Sequence, residues 1–302
     1  MTVEQAIKQF FADRAVYCAE KTLQIYAGHL QVFQKFLEDR FESIETLTFE
    51  QLPDNIVSEY ILFLRRDYHE ITNTTIRSYV RPVSALLKYC YEEDICKDFM
   101  KRVKLPKDDA IPPAPLLQEE VKRLDAVLDL DQLPGLRNYC IVHLMLDCGL
   151  RSQEVRHLQV HDIDAAHNLI YIRISKECKS RITMCPDFLL EKLQLYLSIS
   201  GIVSGKVFYK LRGAEVLTEN TIKQLFKDLK RKADIPRLHA HLLRHTFGTS
   251  YLVYGGNLEF LRVLMGHSDY NVTKGYVSLA AQYKMLGVEV YRLDDIFFRY
   301  QN

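Results

Sequence analysis

The stretch Leu105-Pro106-Lys107-Asp108-Asp109-Ala110-Ile111-Pro112-Pro113-Ala114-Pro115 divides the chain. Each of its four prolines fixes φ and removes a backbone donor, so neither a helix nor an inner strand can run through it, and it reads as a stiff linker over residues 106–115. Upstream, residues 1–105 carry apolar side chains at helical spacing. Leu23, Tyr26, Leu30, Phe33 and Leu37 form one stripe, Val57, Tyr60, Ile61 and Leu64 a second, and Ile76, Val80, Val83, Leu87 and Cys90 a third. Thr48 and Gln51 have the spacing of a capping box and mark the expected start of the second of these helices. With a short opening helix over residues 3–11, this segment predicts a four-helix domain.

Downstream of the linker, residues 116–302 predict a second, larger domain. Helical stretches over residues 117–128 and 138–147 come first, then a turn at Gly149 and a short helix near residues 153–158. The period then changes from helical to alternating. Residues 169–174 and 181–185 predict two antiparallel strands joined by the polar turn 175–180, after which the pattern is helical again, with Gly255, Gly256 and Gly266 as helix ends. The fold class expected is mainly α, with a small antiparallel sheet in the second domain.

Composition narrows the function. The 40 Lys and Arg nearly balance 39 Asp and Glu, and a net charge of +1 argues against coating nucleic acid by bulk attraction. Local basic patches remain: residues 97–107 hold five basic residues against one acid, and residues 206–244 hold ten against four. No apolar run approaches the ~20 residues of a membrane span. Residues 1–14 do not build a signal-peptide core, so a cytoplasmic location is expected. The seven cysteines form no C-x-x-C pair, which predicts reduced thiols and neither a disulfide frame nor a zinc site.

Four separated stretches hold polar residues that a simple core does not require. They are Cys148-Gly149-Leu150-Arg151-Ser152-Gln153-Glu154, the hairpin turn Ser175-Lys176-Glu177-Cys178-Lys179-Ser180-Arg181, His239-Ala240-His241-Leu242-Leu243-Arg244-His245, and Leu264-Met265-Gly266-His267-Ser268-Asp269 followed by Tyr276. In order and spacing this set resembles the tyrosine recombinases, the family of phage integrases and Xer-type resolvases, with its G-L-R-x-x-E, hairpin Lys, H-x-x-R, L-x-G-H and terminal Tyr. The resemblance implies a SAM-like core-binding DNA-binding domain ahead of a mostly helical catalytic domain. It also implies catalytic roles for Arg151, Lys176, His241, Arg244, His267 and Tyr276, with no metal and no cofactor. Double-stranded DNA target sites would be the partner, a homotetramer the synaptic assembly, and a monomer or weak dimer the state without DNA.

The chemistry of these residues agrees. Attack on a phosphodiester adds charge to an anion, so fixed guanidinium forks such as Arg151 and Arg244 suit it, each such donor being worth about 3–4 kcal/mol in the transition state. His241 and Arg244, three residues apart on a helix, share a face. A tyrosine with a pKa near 10 is phenolate in about one molecule per thousand at neutral pH. A base must therefore act on Tyr276, and the family implies His241 for it and His267 as a further phosphate donor. Lys176 is the candidate acid for the leaving 5′-hydroxyl, with Lys179 its rival.

Alternatives stay open at this level. A type IB-like topoisomerase would relax DNA without a target sequence, a catalytically silent DNA-binding protein would form no adduct, and a metal-dependent hydrolase would lose activity in EDTA. The H-L-L-R-H stretch resembles a metal-ligand pair, but Arg244 occupies the place where such an enzyme needs Glu. A helix carrying Leu286, Val290, Tyr291, Leu293, Ile296 and Phe297 either caps its own domain or docks on a neighbouring protomer.

Overall fold

The computed structural model describes residues 1–107, 113–173, 180–210, 215–267 and 270–298, with the backbone alone for Asn271 and Val272. The chain forms two compact units, Met1–Ile111 and Pro112–Asn302. Among the described residues there are twelve α-helices and one three-stranded antiparallel sheet. No helix among them is long and apolar enough to cross a membrane.

The first unit contains α1 (Val3–Ala15), α2 (Glu20–Phe41), α3 (Ile56–Asp67) and α4 (Asn73–Glu92). The stripes predicted from spacing supply its core, with Leu30, Phe33, Leu37, Tyr60, Leu64, Val80, Val83 and Leu87 all buried. Phe33 meets Tyr60 edge-on at 5.0 Å between ring centres, a favourable quadrupole arrangement. One expectation is corrected. Thr48 and Gln51 do form a capping box, but it opens a 3-10 turn, Phe49–Gln51; α3 begins only at Ile56, beyond Pro53.

The second unit contains α5 (Gln118–Ala126), α6 (Leu133–Leu146), α7 (Ser152–His157), α8 (Asp187–Ser200), α9 (Glu219–Lys232), α10 (Ala240–Val253), α11 (Leu258–Met265) and α12 (Tyr270–Leu286). Its sheet runs β1 (Ile163–Asp164), β2 (Leu169–Ile172), β3 (Arg181–Met184), with Ile170 opposite Thr183 and Ile172 opposite Arg181. Helix α10 is the axis of this unit. Every residue from Leu242 to Tyr251 is buried, so its polar side chains, Arg244 and His245 among them, lie inside the protein.

The terminal stretch departs from the expected helix. Helix α12 ends at Leu286, and beyond it the described chain forms no further helix except the 3-10 turn Asp295–Phe297. It lies on its own domain: Val290 bridges Leu117, Tyr291 N–H donates to Leu116 O at 3.0 Å, and Phe297 packs edge-on to Phe247 at 5.3 Å. Under it sits a charge cluster built on the buried His143 and Asp147. His143 donates through Nδ1 to Asp147 at 2.6 Å and through Nε2 to Asp125 at 2.9 Å, and the Tyr291 hydroxyl donates to the second oxygen of Asp147 at 2.7 Å.

Both ring nitrogens of His143 thus face acceptors, which only an imidazolium satisfies. Burial alone would lower its pKa, but the two aspartates more than reverse this and raise it to about 9. A raised folded-state pKa stabilises fully below the ordinary value near 6.5 and loses that contribution as pH rises through about 9. Urea unfolding is therefore expected to show stability falling by on the order of 3 kcal/mol between pH 6.5 and 9.5. A His143→Gln variant should lack that slope; an unchanged slope would contradict the assignment.

Candidate active site

The candidate residues gather around the C-terminal end of α11. A helix end leaves carbonyls without intrahelical partners and carries partial negative charge, which favours cations there. Three guanidinium groups take three successive carbonyls. Arg181 Nε donates to Leu264 O at 2.8 Å, Arg244 donates through an Nη to Met265 O, and Arg151 donates to Gly266 O at 3.3 Å. These arginines come from β3, from α10 and from the residue that caps α7.

Arg244 is 1% exposed and also donates to Gly149 O, in the turn ahead of Arg151. Burial, then the neighbouring Arg151 and Arg181, pull its pKa down to about 9, so it remains a cation at neutral pH. Arg151 keeps partial solvent access, with its side chain 22% exposed, which leaves it facing outward where Arg244 cannot. Glu154 accepts the Arg151 backbone N–H at 2.6 Å and its guanidinium at 3.1 Å. Burial works against the Glu154 charge, yet Arg181 and the Arg151 N–H hold its carboxyl below the usual range.

His267 Nε2 lies 3.2 Å from an Arg244 Nη, and because a guanidinium only donates, this nitrogen accepts. The ring proton therefore sits on Nδ1, which donates to Thr273 Oγ1 at 2.9 Å. In this state His267 orients Arg244; donating to a phosphate through Nε2 would require it to give up that bond. His241 reaches solvent, and partial burial followed by the charge of Arg244 lowers its pKa, which keeps the imidazole neutral at pH 7.

Tyr276, on α12, is 6% exposed and belongs to the apolar core of its domain. Its ring contacts are with His245, at 4.9 Å between centres, and with His267, at 6.2 Å. Close approach to α10 is possible because residue 248 is glycine: a Cβ there would lie 2.9 Å from Tyr276 Cε1. Burial raises the phenol's pKa, and the opposing fields of Arg244 and Arg151 do not cancel that rise. The expected cluster is thus present for Arg151, Arg244, His267 and Tyr276, with His241 one turn from Arg244 on α10. Lys176 and its rival Lys179 lie outside the described residues.

Two residues were missed from sequence. His245 is buried, its Nε2 has no hydrogen-bond partner among the described residues, and its ring walls the phenol. Burial, then His241, lowers its pKa to about 4, so it is neutral. Arg181 ends the polar hairpin stretch and opens the second strand, but the sequence assigns it no catalytic role. Its only sequence signal is a charge on the inward side of an alternating pattern.

Comparison with known proteins now defines the class. Residues 115–283 match the phage integrase family and residues 3–104 the phage integrase SAM-like domain, so the chain belongs to the phage integrase family of tyrosine recombinases, DNA strand-exchange enzymes. It is 27% identical over 294 residues to the tyrosine recombinase XerC of Bacillus pumilus (strain SAFR-032), covering 93% of this chain and 94% of that one. Its identity to a tyrosine recombinase XerC of Staphylococcus aureus is 26%, over 87% of this chain and 88% of that one. Among solved structures, the fold resembles the Tn1549 transposon integrase in complex with transposon right end DNA, at TM-score 0.75 and 18% identity over 95% of this chain and 100% of that one. A lambda integrase dimer bound to a core site gives TM-score 0.73 at 14% identity, over 92% and 95% of the two chains.

The desolvated phenol yields a direct expectation. In an absorbance titration of the DNA-free protein, the difference between the parent chain and Tyr276→Phe should show this phenolate forming only above pH ~10. A midpoint at or below that value would mean that the two guanidinium groups outweigh burial.

Proposed function

We propose that the chain is a site-specific DNA recombinase or integrase that cuts and rejoins strands through a covalent 3′-phosphotyrosine intermediate on Tyr276. The observation that carries this reading is the convergence of the Arg151 and Arg244 guanidinium groups on the Gly266–His267 turn that leads into the Tyr276 helix. In the proposed step Tyr276 Oη attacks the phosphorus, the bond from phosphorus to the 5′-oxygen breaks, and the phenol proton passes to neutral His241. Lys176 supplies a proton to the leaving 5′-hydroxyl, a role worth about 10²–10⁴ in rate. Arg151 and Arg244 stabilise the added charge on the non-bridging oxygens. The phosphotyrosine keeps the energy of the broken bond, so rejoining by the reverse attack needs no nucleotide.

Double-stranded target sites are the proposed substrate, held by the helical first unit and the second unit together, with four protomers in the synapse. Without DNA the chain is proposed to be a monomer or weak dimer. Support for DNA as partner comes from the likeness of the fold to integrases solved with DNA bound.

The test is a suicide substrate in which the cleaved strand end diffuses away. The parent chain is expected to form an adduct stable to denaturant, and Tyr276→Phe to form none while its DNA affinity stays within about threefold, since a lost hydroxyl removes no phosphate contact of the arginines. Binding without any adduct in the parent chain would leave a silent DNA-binding protein. Adducts and plasmid relaxation independent of target sequence would instead favour a topoisomerase.

The base assignment has its own signature. Because the pKa of His241 is lowered from 6.5, the adduct-forming rate should stay level as pH falls from 8 to about 6.5 and decline only below that. His241→Gln should remove the acid limb and slow the reaction throughout; an intact limb in that variant would assign the proton to another group.

A further inference from the structure

Arg181 is too enclosed to meet DNA: its side chain is 4% exposed and its partner Glu154 is 1% exposed. The pair is bidentate, with Arg181 donating to one carboxylate oxygen at 2.6 Å and to the other at 2.7 Å. The same two oxygens receive Arg151, one from its backbone N–H at 2.6 Å and one from its guanidinium at 3.1 Å. Of these four bonds the one from the Arg151 guanidinium is the longest. The carboxylate is thus shared unequally, and Arg181 holds the larger part.

The balance of charge gives this sharing a consequence. One carboxylate between two guanidinium groups leaves one positive charge over, and Arg151, with its side chain 22% exposed, is the group that can present it. If Arg181 were absent, Glu154 and Arg151 would form a one-to-one pair, and a phosphate arriving at Arg151 would meet a cation already neutralised. Arg181 also binds Leu264 O, fixing the turn whose following carbonyls receive Arg244 and Arg151. The backbone makes room for it: Gly266 has φ +59, and a Cβ at that position would lie 2.8 Å from Arg181 Cδ.

We infer that Arg181 is a positioning residue for strand cleavage, one that occupies Glu154 and so leaves the Arg151 charge available to the scissile phosphate. The inference rests on the proposed reading of Arg151 as a phosphate ligand. It distinguishes Arg181 from a simple structural brace, because a brace is not replaced by deleting its partner, whereas a counterion becomes unnecessary once the charge it neutralises is gone.

The experiment compares the full chain with Arg181→Gln, Glu154→Gln and the double variant on a cleavable suicide substrate, measuring adduct rate and DNA affinity separately. Arg181→Gln is expected to slow adduct formation at least about tenfold while affinity for the whole DNA site, which rests on many other phosphate contacts, changes less than about threefold. Adding Glu154→Gln should recover most of that rate. A double variant no faster than Arg181→Gln, or affinity lost in parallel with rate, overturns the inference.

Two further arms keep the outcome decisive. If Arg181→Gln does not fold, Arg181→Lys, which keeps the charge but loses the fork, is expected to slow the adduct about threefold to tenfold at unchanged affinity, and no slowing overturns the inference. Should the parent chain form no adduct on any DNA, the catalytic reading fails while Arg181 is still judged by inorganic phosphate. Thermal stabilisation by phosphate should then be present in the parent chain, lost in Arg181→Gln and restored in the double variant; any other pattern overturns it.

Discussion

The arrangement depends on the unpaired carbonyls at the end of α11. Leu264, Met265 and Gly266 each receive a guanidinium, from Arg181, Arg244 and Arg151 in turn. Those side chains come from a strand, a buried helix and a helix cap, so the one turn draws three separate elements together. Buried carbonyls left without donors cost about 1–3 kcal/mol each, and a buried guanidinium left without acceptors costs more. Each group supplies what the other lacks. The turn then delivers His267 against Arg244, and α12 begins three residues further on.

That geometry also explains the state of the phenol. Tyr276 rests on α10, against His245 and over the glycine at 248, in surroundings that disfavour its anion. The cations nearby were drawn by carbonyls and by Glu154 rather than by the phenol, so their field on it is incomplete compensation. A neutral His245 wall adds no charge to the balance. Without DNA, the protein therefore holds this side chain in its least nucleophilic form.

The sequence made visible what depends on periodicity and order. Stripes such as Leu30, Phe33 and Leu37 predicted the first unit because one face of each helix is buried. From Leu242 to Tyr251 helix α10 is buried on every side and has no stripe, and it was legible through its motif residues instead. Strand β1 has two residues and carries no period to detect. In the terminal stretch Val290, Leu293 and Ile296 mimic a helical spacing, but Gly287 at φ +61 ends α12 and the backbone pairs with Leu117. Arg181 meets a carboxylate 27 positions away on α7, and no local pattern encodes that meeting. The polar site residues were easier to find because exposure to chemistry, not packing, explains their presence.

The choice of acceptors carries a further argument about charge. A chain of net charge +1 cannot rely on bulk attraction to gather phosphate, so the positive potential has to be concentrated. Pairing each arginine with a carboxylate would hold it in place and cancel its charge at once. Carbonyl dipoles hold it without cancelling. Among the described residues, Arg151, Arg181 and Arg244 meet one carboxylate, Glu154, and take their other acceptors from Gly149, Leu264, Met265, Gly266 and the His267 ring. Among the described side chains the formal charges of these three arginines and Glu154 sum to +2, and burial lengthens the reach of each. Burial first, and then the neighbouring Arg151 and Arg181, depress the pKa of Arg244, and an incoming phosphate, gaining charge as it reacts, is a group that would relieve the second of these.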